Sequence, residues 1–363
     1  MAWRNFGVLL FFRIAAVHVC STRMSWKTHP LQLAERLRFS VSTASSIRHC
    51  ARIEVLLPEV GSPLKIGRKT MSEHRQPRGC DLDSSAFLSL RLNRFRENIK
   101  ALDSVKFKRR STCQGQYLDL GCGPADFLAE HLLPRLRPCK RVVAVDISTE
   151  MLDYARKHHP QPDVFYEQLD IEHGDPQTIT KKYGLFDRVY AFLTLHFVKD
   201  LKKAYHNVYN FLKEGGECLV LNFVSTSLTD SWQQVYKMET WTDIISDPGE
   251  VLSKRFRFNE PVLHEELEAE ERRAIEAAGL ELVSFRTYRS VWTFPTADVY
   301  LEIYLRFFKL EAEVPVEKRP AFRSDFMSSL LERLTPTSSG VGATYHVSVT
   351  HCCKPEAASM AAV

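Results

Sequence analysis

Between residues 116 and 224, short apolar runs rich in β-branched and aromatic residues alternate with helical patterns. The runs are QYLDL, RVVAVD, DVFYEQLD, FDRVYAFL and ECLVLNFV, and the helical patterns lie near 124–133, 149–158 and 199–212, with a shorter one before FDRVYAFL. Strands that are apolar almost throughout need cover on both faces, and a helix between each pair supplies that cover. This is the pattern of βαβ units and a parallel sheet. The rhythm breaks after the fifth strand. Residues 225–262 carry Trp232, Tyr236, Met238, Trp241 and Ile244 at mixed helical spacings, a helix over 264–278 follows, and Gly279 is placed to end it. LELVSFRTYRSV reads as a sixth strand, 296–333 as helical, and ATYHVSVTHC as a closing seventh strand with period two. Upstream, Phe87, Leu90, Leu92, Phe95 and Ile99 mark an N-terminal helix. The expected fold is therefore α/β: a doubly wound, seven-stranded, mostly parallel sheet. The domain is expected to span 84–353, with 225–262 and 296–333 as a helical cap and 354–363 as a disordered tail.

Charge narrows the partners. The chain has 49 basic and 44 acidic residues; residues 1–70 hold 11 and 3 of them, which leaves 38 and 41 for the rest. The folded part is close to neutral, so nothing in it asks for a nucleic acid. The opening apolar run is divided by Arg13 and is too short to span a bilayer. Residues 1–70 read equally as a basic mitochondrial presequence or as an unstructured extension ahead of a start at Met71. The expected compartment is the cytoplasm, with the mitochondrion as the alternative. Nine cysteines with no CxxC pair fit reduced thiols and give no metal-ligand spacing, so no metal is expected.

The chemistry gathers in YLDLGCGPADF. A strand ends in Asp119, turns through Gly121, Cys122 and Gly123, and leads into a helix with Pro124 in its first turn. Glycines let a backbone approach a ligand closely. A phosphate loop would follow its glycines with Lys-Ser/Thr, and a dinucleotide fingerprint would place a glycine where Asp126 stands. Two further carboxylates come at strand ends: Asp146 closes VVAVD, 25 residues after Gly121, and Asp170 closes the third strand in LDIE. At the carboxyl rim of an open α/β sheet, the first can accept from ribose hydroxyls and the second from an adenine amino group. Cys122 reads as a small buried residue, since no base is placed beside it to make it a nucleophile.

DLGCG, VDIS, LDIE and EGGECLVL, in that order, resemble the motifs of class I S-adenosylmethionine-dependent methyltransferases. The resemblance implies S-adenosyl-L-methionine as cofactor. Gly121, Cys122 and Gly123 would meet its methionine moiety and Asp119 its amino group. Asp146 with Ile147 would hold the ribose, and Asp170 with Ile171 the adenine. Ala125 stands where a third glycine is common. The strings DISTEMLDYARKHH, LDIEHGD, FLTLHFVKDLKKAYHNVYNFLKEGG and YKMETW are similar to the arthropod juvenile hormone acid methyltransferase family. Its members methylate the carboxylate of farnesoic acid or the related epoxy acid. Two departures touch the acceptor side. The family has a tryptophan after TLH, where this chain has Phe197, and a glutamine in the N-terminal helix, where residues 77–113 contain none. Asn93 or Arg91 are candidates to replace that glutamine.

His196 and Phe197 are the candidate catalytic residues, placed after the fourth strand. A carboxylate acceptor with a pKa near 4 needs no general base, so aligning its oxygen with the methyl group suffices. An amine or hydroxyl acceptor would call on His196 as base. The aromatics Trp232, Tyr236, Trp241, Phe256, Phe258, Trp292 and Phe294 read equally as an apolar tunnel or as cap core. The expected partner is a small, apolar carboxylic acid. Another small acceptor and a cofactor-binding protein without turnover stay open as alternatives.

Overall fold

The computed structural model describes residues 84–356, so the readings made for 1–70 lie outside the described residues. The eight strands are β1 (Gln116–Leu120), β2 (Arg141–Asp146), β3 (Val164–Gln168), β4 (Phe186–Phe192), β5 (Leu212–Thr226), β6 (Glu281–Phe294), β7 (Leu334–Thr337) and β8 (Gly340–Cys353). They form one sheet in the order β3-β2-β1-β4-β5-β8-β6, with β7 on β8. The first five strands run parallel, and β8 lies antiparallel to β5, β6 and β7. Seven of these strands match the sequence expectation. The eighth, β7, escapes it because Leu334, Thr335, Pro336 and Thr337 carry a proline and no apolar alternation; they are strand only through pairing with residues 340–343.

Alternation along the strands separates two cores. Tyr117, Val142, Ala144, Tyr190 and Leu219 face one side, where the cap packs, while Leu118, Val143, Val145, Val189 and Val220 face the other. Every one of these is buried, as a parallel sheet covered on both faces requires.

The helices that matter for the site are α1 (Ser84–Ser89), α2 (Arg91–Asp103) and α3 (Leu133–Leu136), the last preceded by one turn of π-helix over Leu128–Leu132. They are followed by α4 (Thr149–His158), α5 (Gln177–Tyr183), α6 (Leu201–Phe211), α7 (Ser227–Tyr236), α8 (His264–Ala277), α9 (Ala297–Phe307) and α10 (Arg319–Leu331). Gly279 follows α8 at φ 81°, the left-handed conformation expected of a helix stop. The segments 225–262 and 296–333, expected as a cap, contain α7, α9 and α10.

The N-terminal helical stretch departs from its pattern. It breaks at Leu90 into α1 and α2, and Leu92, read as part of the apolar face, is 82% exposed. The buried face of α2 instead carries Arg94, Glu97 and Asn98 beside Phe95, Ala101 and Leu102. Residues 354–356, assigned to a disordered tail, pack onto the domain: Lys354 donates to the carbonyls of Tyr209 and Leu212, and Glu356 pairs with Arg109. No helix among the described residues is long and apolar enough to cross a membrane.

Candidate functional site

Chain order reverses between β1 and β4: β2 and β3 are added on one side of β1, while β4 and β5 are added on the other. The carboxyl ends of strands at such a switch point leave a crevice. The glycine loop enters it from β1, and Thr194 and His196 enter from β4.

Gly121 and Gly123 sit at φ 71° and 55°. A Cβ on Gly121 would overlap the Thr194 side chain, whose hydroxyl donates to the carbonyl of Leu120 at 3.1 Å. Ala125 also lies in the left-handed region, at φ 59°, and is fully buried. A position that geometry would give to glycine thus holds a side chain at some cost in strain. Pro124 precedes the helix instead of sitting in its first turn; regular helix begins at Asp126, because Ala125 has the wrong hand to be part of it.

The loop's amides are occupied. Gly121 and Cys122 donate to the carbonyl of Val145 at 2.8 and 3.0 Å, Gly123 donates to Asp146 Oδ2 at 2.8 Å, and Ala125 donates to the carbonyl of Cys122 at 3.0 Å. Pro124 has no N–H to offer. A phosphate cradle needs converging free amides, and this loop has committed its own to β2 and, at Ala125, to itself. Carboxylates stand at the rim instead. Asp119 is buried and has no hydrogen-bond donor among the described residues; burial, and then repulsion from Asp146, push its pKa up to about 7. Asp146 is raised by burial too, against the bonds from Ser148 and Gly123. Two acidic groups in a dry crevice suit a cationic, hydroxyl-bearing ligand. An amino group for Asp119 and ribose hydroxyls for the remaining lone pairs of Asp146 fit this donor set.

Cys122 donates weakly to the carbonyl of Gly123. Burial and the two nearby carboxylates hold its thiol far above its ordinary pKa, so it is no nucleophile. Ile147 follows Asp146 at the rim, where its carbonyl accepts from Gln168 at 3.1 Å. The amide of Leu169 bonds the carbonyl of Asp146, which brings Asp170 and Ile171 beside that strand end. The Asp170 carboxylate turns toward its own loop, accepting from the amides of Glu172 and His173 at 2.8 and 3.0 Å and lying 3.1 Å from His173 Nδ1. Those bonds lower its pKa against the opposing effect of burial, and they occupy part of the carboxylate offered to an adenine amino group. Ile171 packs on the sheet's second core, and its carbonyl accepts from Asn207.

Beside this rim, under the cap, lies a cavity of about 50 Å³. Its lining includes Phe87, Arg94, His196, Phe197, Phe223 and Trp292. His196 is buried against the rings of Phe197 and Phe223, at 4.3 and 5.4 Å, and its Nδ1 has no partner. Burial drives its pKa down to about 3 against the opposing effect of Asn222, so the ring is neutral and a poor proton acceptor. Of the seven aromatics that could have formed a tunnel, Phe256 and Trp292 line this cavity. Trp232 and Trp241 are core, their N–H groups satisfied by Ser246 and Asp325.

Sequence reading missed one residue here. Arg94 lines the cavity with its guanidinium 3.8 Å from the Phe87 ring centroid, and it pairs at 2.9 Å with Asp126, just past the glycine loop. Arg91, the candidate replacement for the absent glutamine, points away to Glu130 and lies 3.8 Å from Asp126. The missed signal was spacing: Arg94 lies four residues from Leu90 and from Asn98, and all three are buried.

Comparison with known proteins finds methyltransferases. A family model described as a methyltransferase domain matches residues 118–220, the stretch that builds the rim. The juvenile hormone acid O-methyltransferase of Bombyx mori is 31% identical over 184 residues, covering 50% of this chain and 62% of that protein. The Drosophila melanogaster protein of the same name is 32% identical over 146 residues, covering 40% and 48%. The chain thus spans about half to three-fifths of the length of these relatives. Among solved structures, a phosphoethanolamine N-methyltransferase of Haemonchus contortus has 17% identity and a TM-score of 0.40, covering 72% of this chain and 53% of that one. Residues 118–220 are a methyltransferase domain of the class I, S-adenosylmethionine-dependent kind.

Proposed function

We propose that this chain transfers a methyl group from S-adenosyl-L-methionine to the carboxylate of a small, largely apolar acid. Its support is the juxtaposition of an acidic, amide-poor rim with an aromatic cavity containing one buried guanidinium. The cofactor supplies an electrophilic methyl on a sulfonium. Asp119 would hold its amino group, Gly121, Cys122 and Gly123 would border its methionine chain, and Asp146 with Ile147 would hold the ribose. Asp170 and Ile171 would flank the adenine, with the Asp170 carboxylate shared with its own turn.

The protein's remaining task is alignment and exclusion of water. A carboxylate reaches the site already ionised, so no residue need take a proton. A neutral His196 held by burial at a pKa of about 3 is consistent with that route, and it disfavours amine or hydroxyl acceptors that need a base. Its place is the cavity wall with Phe197. The curated relatives named for methylating juvenile hormone acid favour an acid acceptor as well. An apolar acceptor entering this cavity would lie against the rings of Phe87 and Phe308.

The test is transfer of label from methyl-labelled cofactor to farnesoic acid, a straight-chain fatty acid, a polar acid, and an alcohol and an amine of similar skeleton. The expected result is methyl ester from the apolar acids and negligible product from the alcohol and amine. Labelled ether or methylamine without ester would overturn the reading. Tight cofactor binding with no product from any acceptor would favour a cofactor-binding protein without turnover.

A further inference from the structure

Three buried nitrogens around the cavity have no hydrogen-bond partner: Nε of Arg94, Nδ1 of His196 and Nε1 of Trp292. Each belongs to a side chain more than nine-tenths buried, with residue exposures of 5%, 6% and 1%. An unpaired buried donor costs about 1–3 kcal/mol, and the other two described tryptophans avoid that cost by donating to oxygen. Trp292 stacks on Tyr345 at 4.2 Å, and the Tyr345 hydroxyl meets that of Tyr304 at 2.6 Å. Tyr304 in turn lies within electrostatic reach of Arg94. On the other side, Phe223 meets the rings of both Trp292 and His196, at 5.3 and 5.4 Å. The three side chains therefore line one chamber, and Asp126 bonds Nη2 of the Arg94 guanidinium while Nε is left without a partner.

We infer that Trp292 and Arg94 grip the carboxylate of the methyl acceptor, with the Nδ1–H tautomer of His196 as a third donor. This assignment rests on the reading of the chain as a carboxylate methyltransferase, and it identifies which side chains supply the donors that Phe197 and a glutamine-free α2 do not. Trp292 comes from β6 and Arg94 from α2, so the grip is assembled from elements far apart in sequence. An indole N–H and a guanidinium Nε–H, both held in apolar surroundings, favour an ionised oxygen over a hydroxyl because each can only donate.

The experiment uses the full chain saturated with S-adenosylhomocysteine, titrated with farnesoic acid and with farnesol by calorimetry. Trp292→Phe keeps an aromatic ring against Tyr345 and removes the N–H. Arg94→Lys keeps the charge and removes Nε, and it serves as the second variant should the first fold poorly. Each is expected to weaken the acid about tenfold or more while leaving the alcohol within about twofold, as loss of a hydrogen bond to a charged group implies. Acid and alcohol weakening together, or an unchanged preference in both variants, would overturn the assignment. If the unaltered protein methylates acids while the variants keep its preference, only these donors are wrong. If it methylates no acid and binds acid no better than alcohol, the functional reading fails and takes this assignment with it.

Discussion

The two halves of the site are opposite in chemistry. The rim at the ends of β1, β2 and β3 presents carboxylates and has spent its backbone amides on itself, whereas the chamber under the cap presents nitrogen donors left unspent among aromatic rings. A cation suits the first and an anion the second, so a sulfonium and a carboxylate would meet across their boundary. The one buried ion pair described between them, Arg94 with Asp126, ties the chamber's helix to the loop that ends the rim. Selectivity can thus arise from placing two incompatible environments side by side.

Breaking that tie should have the largest effect. Asp126→Ala leaves a buried guanidinium without its partner and is expected to cost about 3–5 kcal/mol of stability, read by denaturant unfolding. A loss below about 1 kcal/mol would mean that the two halves are not held together through this pair. Next, Asp146→Ala removes both the anchor for the Gly123 amide and the acceptor proposed for ribose. Cofactor affinity measured by calorimetry should fall about 100-fold, while unchanged affinity would remove Asp146 from the binding site.

A third prediction concerns pH. Asp119 has a folded pKa raised to about 7, above the ordinary carboxylate value. Its contribution to the stability of the cofactor-free protein is therefore fully present below about pH 4 and lost as pH rises through about 7. Pairing with the cofactor's ammonium reverses that preference, so binding should release a proton. Affinity should then rise by up to about tenfold per unit between pH 5 and 7 and level off above. Asp119→Asn should flatten that profile, weaken binding at pH 8 and stabilise the cofactor-free protein at neutral pH. A profile equally steep in the variant would assign the proton to another group.

The smallest effect is expected at Ala125. Substituting glycine relieves a left-handed residue at φ 59° and should stabilise the fold by about 0.5–1 kcal/mol, after the entropy glycine adds to the unfolded chain. Thermal unfolding checks it; a destabilised variant would show that the buried methyl group contributes more than the strain costs.

By itself the sequence determined the parallel core and the rim. Each element there is local: apolar runs of strand length, a glycine bend after one strand and an acidic residue closing each of the next two, so period and spacing sufficed to place Gly121, Asp146 and Asp170 at one edge. It also marked Gly279 as a helix stop, since a left-handed residue after a helix leaves a local signature. Only the tertiary structure decided the chamber. Arg94 looked like one more surface charge on an amphipathic helix, and Leu92 looked like core. Which face of α2 turned inward was fixed by Asp126 and the ring of Phe87, and no local propensity encodes those contacts. Trp292 was legible as apolar bulk, but whether its N–H found an oxygen depended on strands and helices distant in the chain. The strand status of 334–337 likewise came from β8 alone. Covalent spacing transmits local geometry faithfully, whereas the identity of a buried polar group's partner is settled only when separate elements pack together.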